Sequence, residues 1–152
     1  ACIYARAIFN AFGETQRNVW VADSFAGLPK PNAALYPADR NDKHYVHECL
    51  AISQEEVTEN FRRYGVLGSN VKFLKGWFKD TLLKAPIKQL AVLRLDGDMY
   101  ESTMDGLKLY DKVAVGGYVI VDDYGAIASC KQAIEDFRKA RGIKDPIINI
   151  DG

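Results

Sequence analysis

Apolar residues recur along this chain in two alternating patterns, one with helical spacing and one of short continuous runs that suit buried strands. Residues 1–12, ACIYARAIFNAF, place Ile8, Phe9 and Phe12 on one helical face, with Gly13 as the stop. NVWVAD, residues 18–23, predicts a buried strand built on Val19, Trp20 and Val21 and ending in Asp23. Residues 24–42 carry Pro29, Pro31 and Pro37 with neither period, which predicts a long irregular excursion of the kind that serves as a lid or stays disordered. A helix follows over 53–64, where Ser53 and Glu56 form a capping box, Val57, Phe61 and Tyr64 repeat at helical spacing, and Gly65 ends it. NVKFLKG (70–76) and LAVLRLD (90–96) read as buried strands, and Met104, Leu107 and Leu109 predict a helix over 101–112. Gly116 and Gly117 then introduce the strand YVIVDD. Ser129 and Gln132 make a second capping box for a helix with Ala133, Ile134, Phe137 and Ala140 on its apolar side and Gly142 at its end, and PIINIDG (146–152) starts like another strand.

Alternating strands and helices without internal repeats imply right-handed crossovers and a doubly wound α/β fold, a mainly parallel sheet with helices on both faces. The 152 residues, 48% hydrophobic and 26% charged, fit one domain with a real core. The chain opens in mid-helix and closes as a turn begins, so the expectation is a single partial domain cut at both ends. Formal net charge is zero and the basic residues are dispersed, which speaks against a nucleic-acid partner and for a small neutral or zwitterionic one. Cys2, Cys49 and Cys130 are far apart, odd in number and in no zinc or redox spacing, so a reducing, cytoplasmic setting is expected. No run of about eighteen apolar residues encodes a membrane span, and no basic-then-apolar N-terminus encodes a signal peptide.

The chemistry gathers where apolar strands stop. LRLDGDMYEST (93–103) and GGYVIVDDYG (116–125) carry Asp96, Asp98, Asp122 and Asp123 at two strand ends. Asp96 and Asp98 share a side if the chain stays extended, whereas Asp122 and Asp123 converge only if one lies beyond the strand. Crowded carboxylates repel and raise one another's pKa, and a hard divalent cation such as magnesium removes that penalty. A turn or helix cap explains any one of these acids alone, but four at the carboxyl ends of parallel strands favour the metal. Asp23 either accepts ribose hydroxyls or starts a turn with Ser24. In GWFKD (76–80), Gly76 admits a ligand, while Trp77 and Phe78 either sandwich a purine or belong to the core. His44 and His47, three residues apart, suit metal ligation or proton transfer on a helix, and otherwise are two exposed loop histidines; they stay outside the catalytic set.

Taken together, VWVADSFAGLPKP, EEVTENFRRYGVL, VKFLKGWFKDTL, LRLDGDMYEST and GGYVIVDDYGA resemble the macrocin-type sugar O-methyltransferases of macrolide and aminocoumarin biosynthesis, over nearly the whole chain. The resemblance implies a Rossmann-like class I methyltransferase fold, S-adenosylmethionine as methyl donor and a need for magnesium. It implies that Asp23, with Ser24 beside it, binds the ribose, that Gly76, Trp77 and Phe78 border the adenine, and that Asp96, Asp122 and Asp123 hold the metal. Asp96 also serves in it as general base, with a lid over residues 30–50 excluding water. The acceptor implied is a small-molecule glycoside, and the protein a homo-oligomer. The family's first strand with its glycine-rich turn, and its terminal strand pair, are expected to be missing from this chain. Two rivals remain at this point: a glycosyltransferase using Asp96-Gly97-Asp98 as an Asp-x-Asp metal and diphosphate site, and a truncated methyltransferase domain without catalysis.

Overall fold

In the computed structural model, which describes residues 1–150, four strands form two parallel pairs, each in its own compact unit. The first unit comprises residues 1–31 and 41–88. There β1 (Val19–Asp23) runs beside β2 (Val71–Lys75), in register from Val19 against Val71 to Asp23 against Lys75. Val21, Phe25, Phe61, Val66 and Val71 make its core, with Cys2, Ile3 and Ala7 of α1 (Cys2–Ala11) and Val57 of α2 (Gln54–Arg63) packed against it. Phe61 is fully buried and meets Phe73 edge-on, ring centres 5.9 Å apart. The Ser53 half of the α2 capping box forms, with Ser53 Oγ accepting the Glu56 N–H at 3.1 Å.

The predicted apolar face of α1 does not form. Ile8 and Phe12 are exposed, and the buried side runs through Cys2, Ile3, Arg6 and Ala7. Arg6 is tolerated there because its aliphatic stem packs while its guanidinium reaches Asn10 Oδ1 at 2.5 Å and the Glu14 carbonyl at 3.5 Å.

The second unit comprises residues 32–40 and those from Gln89 onward. β3 (Leu90–Leu95) lies parallel to β4 (Val113–Val121), in register from Val92 against Tyr118 to Leu95 against Val121. Before Val92 the register breaks, and this displaces another expectation: Gly116 and Gly117 lie inside β4 rather than ahead of it. Gly116 takes φ 80°, and a Cβ on Gly117 would sit 2.7 Å from the Ala91 carbonyl oxygen, so the irregularity requires glycine. The helix expected over 101–112 divides into α4 (Tyr100–Leu107) and a single 3-10 turn at Tyr110–Lys112. α4 lies so close to β3 that a Cβ on Gly106 would be 2.5 Å from Leu95 Cδ2.

α5 (Ala128–Arg141) ends at Gly142 with φ 64°, as read, but its capping box is absent. Ser129 falls in the first turn, and its hydroxyl donates to the Asp98 carbonyl at 3.3 Å instead. Nor are the strands as buried as their apolar runs suggested. β1 buries Val19 and Val21, β2 only Val71, β3 only Leu93 and Leu95, and β4 none, since among the described residues each strand pairs along one edge only. Residues 146–150 form no strand, and residues 151–152 of that predicted segment lie outside the described residues. The irregular excursion contains a 3-10 turn, Pro37–Asp39, and two more follow at His44–Val46 and Glu48–Leu50.

Candidate active site

In the first unit the parallel register brings Asp23 and the Gly76 turn to the same carboxyl edge, where the Gly76 N–H donates to the Asp23 carbonyl at 2.9 Å. Asp23 is exposed, and its Oδ1 accepts the Phe25 N–H at 2.7 Å, which supports Phe25 at φ 54°. The turn reading of Asp23 is thus met, and the same side chain leaves a carboxylate exposed at the strand end. Ser24 Oγ donates to the Gly27 carbonyl at 2.6 Å. Gly76 has φ 135°, and a Cβ there would be 2.8 Å from the Thr81 methyl, so backbone conformation and packing demand glycine independently of any ligand. Trp77 and Phe78 are half-buried beside it, Trp77 leading into the four-residue helix α3 (Phe78–Thr81).

In the second unit β3 and β4 end side by side, and the Asp122 N–H continues the ladder to the Leu95 carbonyl at 2.9 Å. Asp96, Asp98 and Asp123 each offer a carboxylate oxygen, all within 4.8 Å of one another. Asp98 reaches this cluster because the chain turns sharply after β3. It takes φ 56°, and Met99 N–H closes back on the Gly97 carbonyl at 2.5 Å. Asp123 Oδ2 is buried without a hydrogen-bond partner. Burial, then the Asp98 and Asp96 carboxylates, push the Asp123 carboxyl up to about 6. A cluster of hard oxygen donors carrying one orphaned buried oxygen fits a divalent cation.

Asp122 takes a different partner. Arg94 spans two acids, its Nη1 2.5 Å from Asp96 Oδ2 and its Nη2 2.6 Å from Asp122 Oδ2. The predicted trio of Asp96, Asp122 and Asp123 is therefore not the trio brought together here: Asp98 stands in the cluster and Asp122 beside it, bridged through Arg94. Arg94 was legible in principle, two residues before Asp96 and so on the same strand face. A second residue carried no sequence signal at all. The Asp39 carboxylate, fully buried, accepts the Tyr100 N–H at 2.7 Å and the Glu101 N–H at 3.0 Å, capping α4 from a loop.

His44 and His47 lie at a 3-10 turn of the first unit, ring centres 6.2 Å apart. Asp42 orients His44, with its Oδ2 2.7 Å from Nδ1 and its Oδ1 accepting the His44 N–H at 2.9 Å.

These strand-end acids and glycine turns can be set beside known proteins. The family model of the macrocin O-methyltransferases (TylF) matches residues 1–152. The chain is 51% identical over 152 residues to the 8-demethyl-8-(2,3-dimethoxy-alpha-L-rhamnosyl)-tetracenomycin-C 4'-O-methyltransferase of Streptomyces olivaceus, covering 99% of this chain and 58% of that protein. It is 53% identical to the demethyldecarbamoylnovobiocin O-methyltransferase of Streptomyces niveus, again over 99% of this chain and 58% of the relative. The solved structure of the O-methyltransferase NovP superposes with a TM-score of 0.95 at 52% identity, covering 99% of this chain and 63% of that one. The chain thus spans less than two thirds of the length of these relatives, and within that span has the α/β fold of class I methyltransferases. Parallel strands ending in paired acids, a match along the whole chain and a shared fold lead to one conclusion: the chain belongs to the macrocin O-methyltransferase family.

Proposed function

We propose that this chain carries cofactor-binding and metal-binding strand ends of an S-adenosylmethionine-dependent O-methyltransferase acting on a sugar hydroxyl of a small natural product. The observation that carries the reading is the Asp96, Asp98 and Asp123 cluster, with a buried carboxylate oxygen that lacks a partner. The acceptor class is supported by the relatives, one of which is named for methylating a rhamnosyl tetracenomycin and another for a novobiocin precursor. Family membership also replaces the Asp-x-Asp glycosyltransferase alternative.

In this reading Asp23 accepts the ribose hydroxyls of the cofactor with Ser24 alongside, and Gly76, Trp77 and Phe78 border its adenine. Asp96, Asp98 and Asp123 would hold magnesium, while Asp122 is paired with Arg94. Bound magnesium would supply Lewis acidity that lowers the pKa of an acceptor hydroxyl. Asp96, fixed through Oδ2 by Arg94 at 2.5 Å, takes the proton that the hydroxyl gives up. A cytoplasmic location and a homo-oligomeric state belong to the same proposal; among the described residues no helix is long and apolar enough to cross a membrane.

The test is methyl transfer from labelled S-adenosylmethionine to glycosylated natural products, with magnesium and with excess chelator. Turnover that disappears in chelator and returns with magnesium is the expected result. Full turnover in chelator removes the metal from the reading, and absence of S-adenosylmethionine binding by calorimetry restores the noncatalytic alternative.

A further inference from the structure

The acidic cluster depends on a tight turn, and the turn leads straight into α4. An α-helix begins with backbone N–H groups that no residue of its own accepts. The N-cap of α4 is Met99, which is fully buried and makes no side-chain cap hydrogen bond, its thioether being a weak acceptor at best. The Tyr100 and Glu101 N–H groups are taken instead by Asp39, 61 and 62 positions away in sequence. Its carboxylate is fully buried, so its charge is balanced by those two donors and the positive end of the helix. The same loop is held by the Tyr36 ring against Tyr100, 6.1 Å between centres, and the Tyr100 hydroxyl donates to Asp136 of α5 at 3.2 Å.

Between β3 and this cap only Asp96, Gly97, Asp98 and Met99 remain, with Asp98 in the left-handed region at φ 56°. A non-glycine residue keeps such a conformation only when its surroundings dictate it. Among the constraints here are the Met99 N–H on the Gly97 carbonyl, the Ser129 hydroxyl on the Asp98 carbonyl and the α4 N-terminus fixed by Asp39. We propose that Asp39 is a positioning residue for the metal-binding cluster: by capping α4 it sets the Asp96–Met99 turn and so keeps the Asp98 carboxylate beside Asp123. This rests on the magnesium reading above and extends it, since order in the loop at residues 36–39 and cation affinity become reciprocally coupled.

The test is a titration of the protein with Mn2+, followed by the paramagnetic signal of free Mn2+, at a temperature where circular dichroism shows every variant folded. Asp39→Asn, which keeps the shape but loses one acceptor, should weaken Mn2+ binding about tenfold, as removal of partners supporting metal ligands does, and Asp39→Ala further. Leu109→Ala removes buried volume from the same unit without touching the cap, and should bind Mn2+ like the unsubstituted protein. In the unsubstituted protein, Mn2+ should slow amide exchange at Tyr100 and Glu101, a readout available even if neither Asp39 variant folds. Unchanged Mn2+ affinity in folded Asp39→Asn, or unchanged exchange at those amides on Mn2+ binding, overturns the inference while the metal site stands. No Mn2+ binding by the unsubstituted protein overturns the metal reading, and this inference with it.

Discussion

Asp123→Asn should stabilise the metal-free protein at neutral pH, although it removes a carboxylate from the centre of the candidate site. The folded-state carboxyl is raised to about 6 from an ordinary value of 3.8. Between those two values the folded chain keeps a proton that the unfolded chain has released. The stability contributed by protonated Asp123 is therefore complete below about pH 4, is lost as pH rises through about 6, and stays lost above. Asparagine carries no charge at any pH, so the stability difference between variant and parent should start near zero at pH 4, grow to pH 6 and then level. A displacement of about two pH units corresponds to about 3 kcal/mol in full, and solvent screening of a partly exposed carboxyl reduces this to about 1–2 kcal/mol. For a chain of this size that is a rise in Tm of about 2–8 °C. The assay is thermal unfolding by circular dichroism in chelator from pH 4 to 8 at fixed ionic strength. Magnesium should reverse the order, because a cation at a hundred times its Kd adds about 2.7 kcal/mol to a protein that binds it and little to one that does not. A difference that does not change with pH, or an Asn variant less stable at pH 7 in chelator, would refute the reasoning.

The same geometry separates the acids from one another. Asp98→Asn should lower magnesium affinity and turnover more than Asp122→Asn, because Asp98 stands in the cluster while Asp122 pairs with Arg94; calorimetric titration of both variants decides. If Asp96 is the base, excess magnesium should restore much of the rate in Asp98→Asn and little in Asp96→Asn, measured as initial velocities. Asp23→Ala should weaken S-adenosylmethionine binding by more than about 1 kcal/mol in calorimetry, with circular dichroism confirming that the Phe25 turn still folds. Gly117→Ala should cost about 1–3 kcal/mol in denaturant unfolding, because the new methyl meets backbone oxygen rather than a movable side chain. Gly125→Ala, which opens onto empty space, should stay within about 0.5 kcal/mol.

What the sequence determined by itself is whatever depends on neighbours along the chain. Helical spacing in Val57, Phe61 and Tyr64 with the Ser53 cap located α2, the apolar runs located β1 to β3, and the motifs around Asp23 and Asp96 carried the family. Left to tertiary structure was everything set by groups far apart in sequence. The face that α1 buries follows from where the core lies, which is why Arg6 rather than Phe12 is inside. Ser129 looked like a cap and instead holds the Asp98 carbonyl, since a hydroxyl one residue inside a helix donates to whatever acceptor packing brings near. Asp98 displaced Asp122 from the acidic cluster because the turn after β3, not strand alternation, sets its direction, and Arg94 was close enough to claim Asp122. Asp39 shows the limit most plainly: no pattern around residue 39 announces that it caps a helix 61 residues on, because the donors it satisfies are backbone groups, which every sequence has alike.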